Sequence, residues 1–380
     1  MTEFAADKEF PPSAGIKLFL AGDVMLGRGI DQVLPHPGDP RIYEPYVASA
    51  EGYVVLAERA HGPIPRPMDY SYVWGEALAA LREARPDARI VNLETSITTS
   101  TRYARKEIHY KMSPENVPCL KAASVDCCAL ANNHVLDWGR AGLLETLDTL
   151  ARAGIHGVGA GRNAAAASAP AVLDLGGKGR VVVFAFGTED CGIPSDWAAG
   201  ETEAGVNLLR DLSDRTVTRI AAQVKAARRP GDILVASLHW GPNWGYEIPG
   251  AHRRFAHDLI DAAGFDVLFG HSTHHPVGIE IYERKLILYG CGDFLNDYEG
   301  IGGYEDYRGD LSLMYLPLLS SPGGRLLQLK MLPFQIRRFR LNRASGADAR
   351  WLCDRLDRES VRLGTHVMLN DDGSLSATWT

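Results

Sequence analysis

Asp266-Val-Leu-Phe-Gly-His-Ser-Thr-His-His275 decides how the chain is read. The apolar run Val267-Leu-Phe269 has the length and composition of a buried strand, and it stops at Gly270. Glycine there lets the chain turn sharply at the strand's end. Three histidines follow within five positions. Protonated imidazoles crowded on one turn repel each other, and a shared cation relieves that. The turn therefore reads as one wall of a metal site, and the other walls must lie upstream.

Upstream, four further segments have the same form, a polar group just past an apolar run. Asp23 follows Ile16–Ala21, and Glu94 follows Arg89–Leu93. Asn132, Asn133 and His134 follow Val125–Leu130, and His239 follows Ile233–Leu238. Taken singly, each has a plain structural explanation: Asp23 as a turn residue, Glu94 as a cap, the asparagines as a left-handed loop, His239 as a packed histidine. Together they sit where α/β folds collect ligands, at the carboxyl ends of strands. Carboxylate, amide and imidazole donors suit Mn²⁺, Fe or Zn²⁺ better than Mg²⁺ or Ca²⁺. The donors are too many for one tetrahedral ion and fit two divalent ions sharing a carboxylate. His134, beside Asn133, is placed to protonate a leaving group. Asp137 either holds the His134 ring or caps the helix that carries Leu143.

Helices between these strands, marked by Leu143/Leu147/Leu150, Val217/Ile220/Val224 and Phe255/Leu259, complete βαβ units and predict an α/β fold. Residues 1–15 read as a tail and 16–380 as one domain, with a long 35–69 loop and a strand/helix extension from about residue 325. A short helix within Tyr53–Ala60 is expected inside the loop. A net charge of −7 with no basic block argues against nucleic acid. No apolar run reaches membrane-spanning length, and the six cysteines lack zinc-type spacing, so a reducing, cytoplasmic setting is expected. Homo-oligomerisation stays open. The substrate is expected to be a small anionic molecule. Arg28, Lys111 or Arg140 would meet its charge, and Trp240, Trp244 and Tyr246 would line the mouth; packing and surface charge are the alternatives.

Six motifs occur in one order: Gly22-Asp23-Val-Met-Leu-Gly-Arg28, Asn92-Leu-Glu94, Ala131-Asn-Asn-His134, Leu238-His-Trp-Gly241, Gly270-His-Ser-Thr-His274 and Tyr289-Gly-Cys-Gly-Asp-Phe294. That order resembles the CapA family of poly-γ-glutamate capsule synthesis, which is similar to the calcineurin-like metallophosphoesterases. The resemblance spans roughly residues 16–297. It implies a four-layer α-β-β-α sandwich and a dinuclear-metal hydrolase acting on a phosphoester or thioester of a small-molecule or γ-glutamyl substrate, or alternatively an accessory of polymer synthesis or γ-glutamyl amide processing with little turnover. It further implies that Asp23 binds the first ion, Glu94 bridges, Asn133, His239 and His271 bind the second, His274 returns to the first, and His134 is the acid. Met25 stands where the wider superfamily has a ligand histidine, Glu94 where it has aspartate, and the last two histidines are three apart rather than two. His275 is left as the bystander.

Overall fold

The computed structural model describes residues 15–379, so the expected tail lies almost wholly outside them. Two large sheets dominate an α/β architecture. The path of the first runs Thr365–Leu369, Leu375–Trp379, Leu326–Ile336, Leu311–Ser320, Gly15–Val24, Ala88–Leu93, Cys127–Ala129, His156–Val158. From Gly15–Val24 through His156–Val158 its strands are parallel, and toward Leu311–Ser320 they become antiparallel. The second sheet has a parallel core of Arg180–Thr188, Ile233–His239, Val267–His271 and Lys285–Leu288. Both sheets thus present the carboxyl ends of their parallel strands as a rim for ligands.

Strand alternation sorts the apolar side chains. Ile16, Leu18 and Leu20 of the first sheet share one buried cluster with Val181, Val235, Val267 and Phe269 of the second. Phe19 and Ala21 point the other way, into a cluster with Leu143 and Leu150 of the Gly139–Ala153 helix. Val182, Phe184 and Leu234 likewise pack on Val217, Ile220 and Phe255 of the helices behind the second sheet. Adjacent Cys127 and Cys128 fall into different clusters, as residues on opposite faces of a strand must. The C-terminal helix Gly346–Val361 inserts Leu352 and Leu356 into the cluster between the sheets.

One expectation needs correcting. The strand Val267–His271 does not stop at Gly270 but runs through it. Glycine is required there by close approach: a Cβ would lie 2.2 Å from the Tyr289 carbonyl oxygen and 2.6 Å from the Trp240 indole nitrogen. Leu311–Ser320, the antiparallel neighbour of the first strand, was not anticipated, because its apolar residues do not alternate with polar ones and so carry no periodicity that separates strand from helix. The strand/helix extension expected from about residue 325 lies within the first sheet, where Leu326–Ile336 pairs along Leu311–Ser320. Within the 35–69 loop the short helix does form, over Glu51–His61.

A candidate metal centre at the strand ends

Sheet register brings the candidate ligands together. His239 and His271 are direct cross-strand partners at the ends of two parallel strands of the second sheet. On the first sheet, Asp23 pairs with Asn92 on one side and with Asp293, on the short strand Asp293–Leu295, on the other. The two rims then face each other: the His271 Nδ1 lies 3.8 Å from the Asp23 Oδ1. Two sets of three donors result, Asp23 with His239 and His271, and Asp23 with His274 and Asp293; within each set the ligand atoms lie within 4.8 Å of one another. Every one of these residues is buried.

Hydrogen bonds fix each ligand in turn. Asn92 donates to Asp23 at 2.6 Å, and the Ser272 amide donates to its second oxygen at 3.2 Å. Ser237 Oγ lies 2.6 Å from His271 Nε2, which leaves Nδ1 facing His239 Nδ1 at 2.7 Å. His274 Nδ1 lies 3.0 Å from Asp293, whose other oxygen accepts from Asn296 at 2.7 Å. Asn133 places its amide oxygen 3.2 Å from His239 Nε2 while its NH₂ donates to the Cys191 carbonyl. Asn132 is a scaffold, donating to Asn92 and the Leu93 carbonyl and accepting from the His134 amide. Glu94 stands 3.8 Å from His134 Nε2 and 4.0 Å from His239 Nε2. His275 packs between Tyr246 and Tyr307 and accepts from the Gly245 amide, away from both donor sets.

Burial and mutual charge shift the titration of these groups. Burial and then Asp293 push the Asp23 carboxyl up to about 7. Burial and then Asp23 raise Glu94 well above the carboxylate range. Burial holds His271 down to about 3, and burial with His271 holds His239 well below the usual imidazole range. For His274 burial is outweighed by Asp293 and Asp23, and its pKa rises. Neutral His239 and His271 beside carboxylates that resist ionising, with His274 turned towards Asp293, form a donor set that a divalent cation would satisfy, because it stabilises anionic and lone-pair donors at once. The residues present therefore fit a metal.

Beside the donors stands a buried histidine–carboxylate pair. His134 Nδ1 lies 2.7 Å from Asp137, whose carboxylate also accepts from the Tyr110 amide at 2.6 Å and pairs with Lys106 Nζ at 2.8 Å. The Gly139–Ala153 helix has no side-chain cap, so of the two expected roles Asp137 is seen orienting the ring. Tyr110 stacks on His134 with ring centroids 3.8 Å apart, and its hydroxyl meets that of Tyr298 at 2.5 Å. Burial, then Lys106 and Arg28, hold the His134 ring neutral, and burial lifts Asp137 to about 6. Glu94, Asn133, His134 and His274 open onto a cleft of ≈ 930 Å³.

Two sequence-derived substrate contacts come out differently. Trp240 is buried, donates to the Tyr289 carbonyl at 3.0 Å and stacks on His252; it does not line the cleft. Arg28 does reach the cleft, but its guanidinium is held by Asp297 and Glu44 and lies 3.5 Å over the Tyr53 ring. Away from the cleft, Arg140 is spent on the Ala204 and Asp196 carbonyls, and Lys111 lies over Trp138. Conversely, Asp293, Lys106, Tyr110 and Tyr298 were given no role from the sequence. Asp293 lies within a motif quoted there, and its place beside a conspicuous Gly-Cys-Gly run was the available signal; for Lys106 and the tyrosines there was none.

The fold and the site together define an α/β protein with a buried carboxylate–imidazole cluster where the rims of two sheets meet. Residues 17–298 match the family model described as bacterial capsule synthesis protein PGA_cap. The chain belongs to that family. It is 49% identical over 362 residues, 95% of either chain, to the "Probable polyglutamine synthesis accessory protein" of Mycobacterium tuberculosis (strain CDC 1551 / Oshkosh). It is also 28% identical over 278 residues, 73% of this chain and 62% of the relative, to the "PGA biosynthesis protein CapA" of Bacillus subtilis (strain 168). Among the described residues no helix is long and apolar enough to cross a membrane.

Proposed function

We propose that the protein is a dinuclear-metal hydrolase of the CapA type that cleaves an ester-type bond, phosphoester or thioester, at the floor of the cleft. The observation that carries this reading is the double use of Asp23, common to two three-donor sets beside the His134–Asp137 pair. Two divalent ions, Mn, Fe or Zn by donor chemistry, would be held by Asp23, His239 and His271, with Asn133 adjacent, and by Asp23, His274 and Asp293. In this assignment Asp23 takes the shared position that the family resemblance gave to Glu94, and Glu94 stands as a further donor between His134 and His239. Asp293 supplies the donor that Met25 does not. Such ions supply Lewis acidity and a water acidified towards a pKa of about 7.

The chain's own part is orientation and proton transfer. Asp137 holds Nδ1 of His134 and so leaves Nε2 on the cleft side. An anionic substrate head next to that nitrogen offsets the effects that keep the ring neutral, so the ring takes up a proton from solvent at Nε2 and then hands that proton to the leaving group. The buried packing also supports reading the two sheets and their outer helices as the four-layer metallophosphoesterase sandwich. Six free, buried thiols support a reducing, cytoplasmic compartment.

The names of the relatives favour a second reading, an accessory of polyglutamate or capsule synthesis with little turnover of its own. One experiment separates the two. Metal-loaded and metal-stripped protein are assayed on phosphomonoesters, thioesters and γ-glutamyl amides, alongside His134→Ala. The hydrolase reading expects activity that disappears with the metal and falls about 10²–10⁴-fold in the variant at unchanged metal content. Turnover indifferent to chelation refutes it, and no turnover of any substrate leaves the accessory reading.

A further inference from the structure

The cleft above the donor cluster is not built for a highly charged substrate. Three basic side chains line it, and each is already paired: Arg28 with Asp297 and Glu44, Lys106 with Asp137, Arg308 with Asp310 and Asp348. Glu107 and Glu305 add negative charge to the same wall, while Glu299 is taken up by His61 and by the Arg338 and Phe339 amides. A second anionic group on the substrate would therefore meet no unpaired cation among the described lining residues.

Beyond the polar floor the wall turns apolar. Val47 and Leu56 pack on the small cluster of Ile42, Ala50 and Tyr53 and show their remaining surface to the cleft. Ile301 faces them from the turn after Tyr298, and Gly300 in that turn sits against the Leu56 backbone, with no room for a Cβ (2.8 Å). Trp244, stacked on Tyr304 at 4.1 Å, forms another side. At ≈ 930 Å³ the space far exceeds what a phosphate or carboxylate head needs, and apolar lining with a few convergent polar groups marks a small-molecule site.

Resting on the hydrolase reading above, we infer that the substrate carries a single anionic or ester head, which meets the donor cluster, joined to an uncharged apolar arm that lies between the Glu51–His61 helix and the Ile301 turn. The test uses the metal-loaded full chain with ethyl, butyl and octyl phosphate, each as a calorimetric ligand and as a substrate. Burial of the arm predicts a gain of about three- to fourfold in affinity per methylene, on the order of 100-fold from butyl to octyl. Ile301→Glu, at a half-exposed turn position, should collapse the octyl-to-ethyl ratio; Leu56→Gln is a second variant for the opposite wall. Affinity flat with chain length overturns the inference whether or not the phosphates are hydrolysed. A chain-length gradient without hydrolysis removes the phosphoester form of the hydrolase reading and leaves the apolar arm standing.

Discussion

Replacing Asp293 with Asn tests the least expected member of the site. The change keeps side-chain volume and removes one anionic oxygen from a residue that is 2% exposed. In the structure that carboxylate does two things: it lies 3.0 Å from His274 Nδ1 and belongs with Asp23 and His274 to one donor set. If it acts only by orienting His274, loss of such an outer partner weakens metal binding by about 10–100-fold, roughly 1.4–2.7 kcal/mol. If it is itself a ligand, one of three donors is gone and the deficit exceeds that range. Competition titration against a chromophoric chelator, with metal content measured after desalting, distinguishes these. The expected result is two ions per wild-type chain and one retained by Asp293→Asn, with the ion at His239 and His271 undisturbed. Two ions of wild-type affinity in the variant would refute the donor assignment.

Two further outcomes follow from side chains outside the donor sets. Arg28→Met should destabilise the protein by about 3–5 kcal/mol in denaturant melts, because it strands buried Asp297 and Glu44; a change below about 1 kcal/mol would return Arg28 to the role of a free anion receptor. Asp190 is kept at about 2, where burial is outweighed by hydrogen bonds with His252, Thr188 and the Gly241 amide. Its folded pKa lies below the unfolded value, so its contribution is present above about pH 4 and is lost as pH falls towards 2. The carboxylate is 49% exposed, so screening limits the contribution to about 1 kcal/mol. Acid unfolding of Asp190→Asn should be flatter than wild type across that window, and identical curves would contradict the assignment.

Much of the site could be read without coordinates because a polar residue directly after an apolar run leaves a strand at its carboxyl end. That local rule singled out Asp23, Glu94, Asn133, His134, His239 and His271 and brought them to one rim, and the family order of motifs added the expected role of each. The short helix expected inside the 35–69 loop also forms, over Glu51–His61. The local rule could not give partners across the chain. That Asp293 runs parallel beside Asp23, and that Asp23 rather than Glu94 is common to both donor sets, are matters of sheet register between segments about 270 residues apart. Gly270 had the look of a turn residue until the Tyr289 backbone was seen lying against it. Arg28 and Trp240 looked available to substrate because sequence shows charge and aromaticity but not what already occupies them. Composition and local pattern fix which donors each strand end carries; packing alone decides which of them face one another, and which are spent holding the fold together.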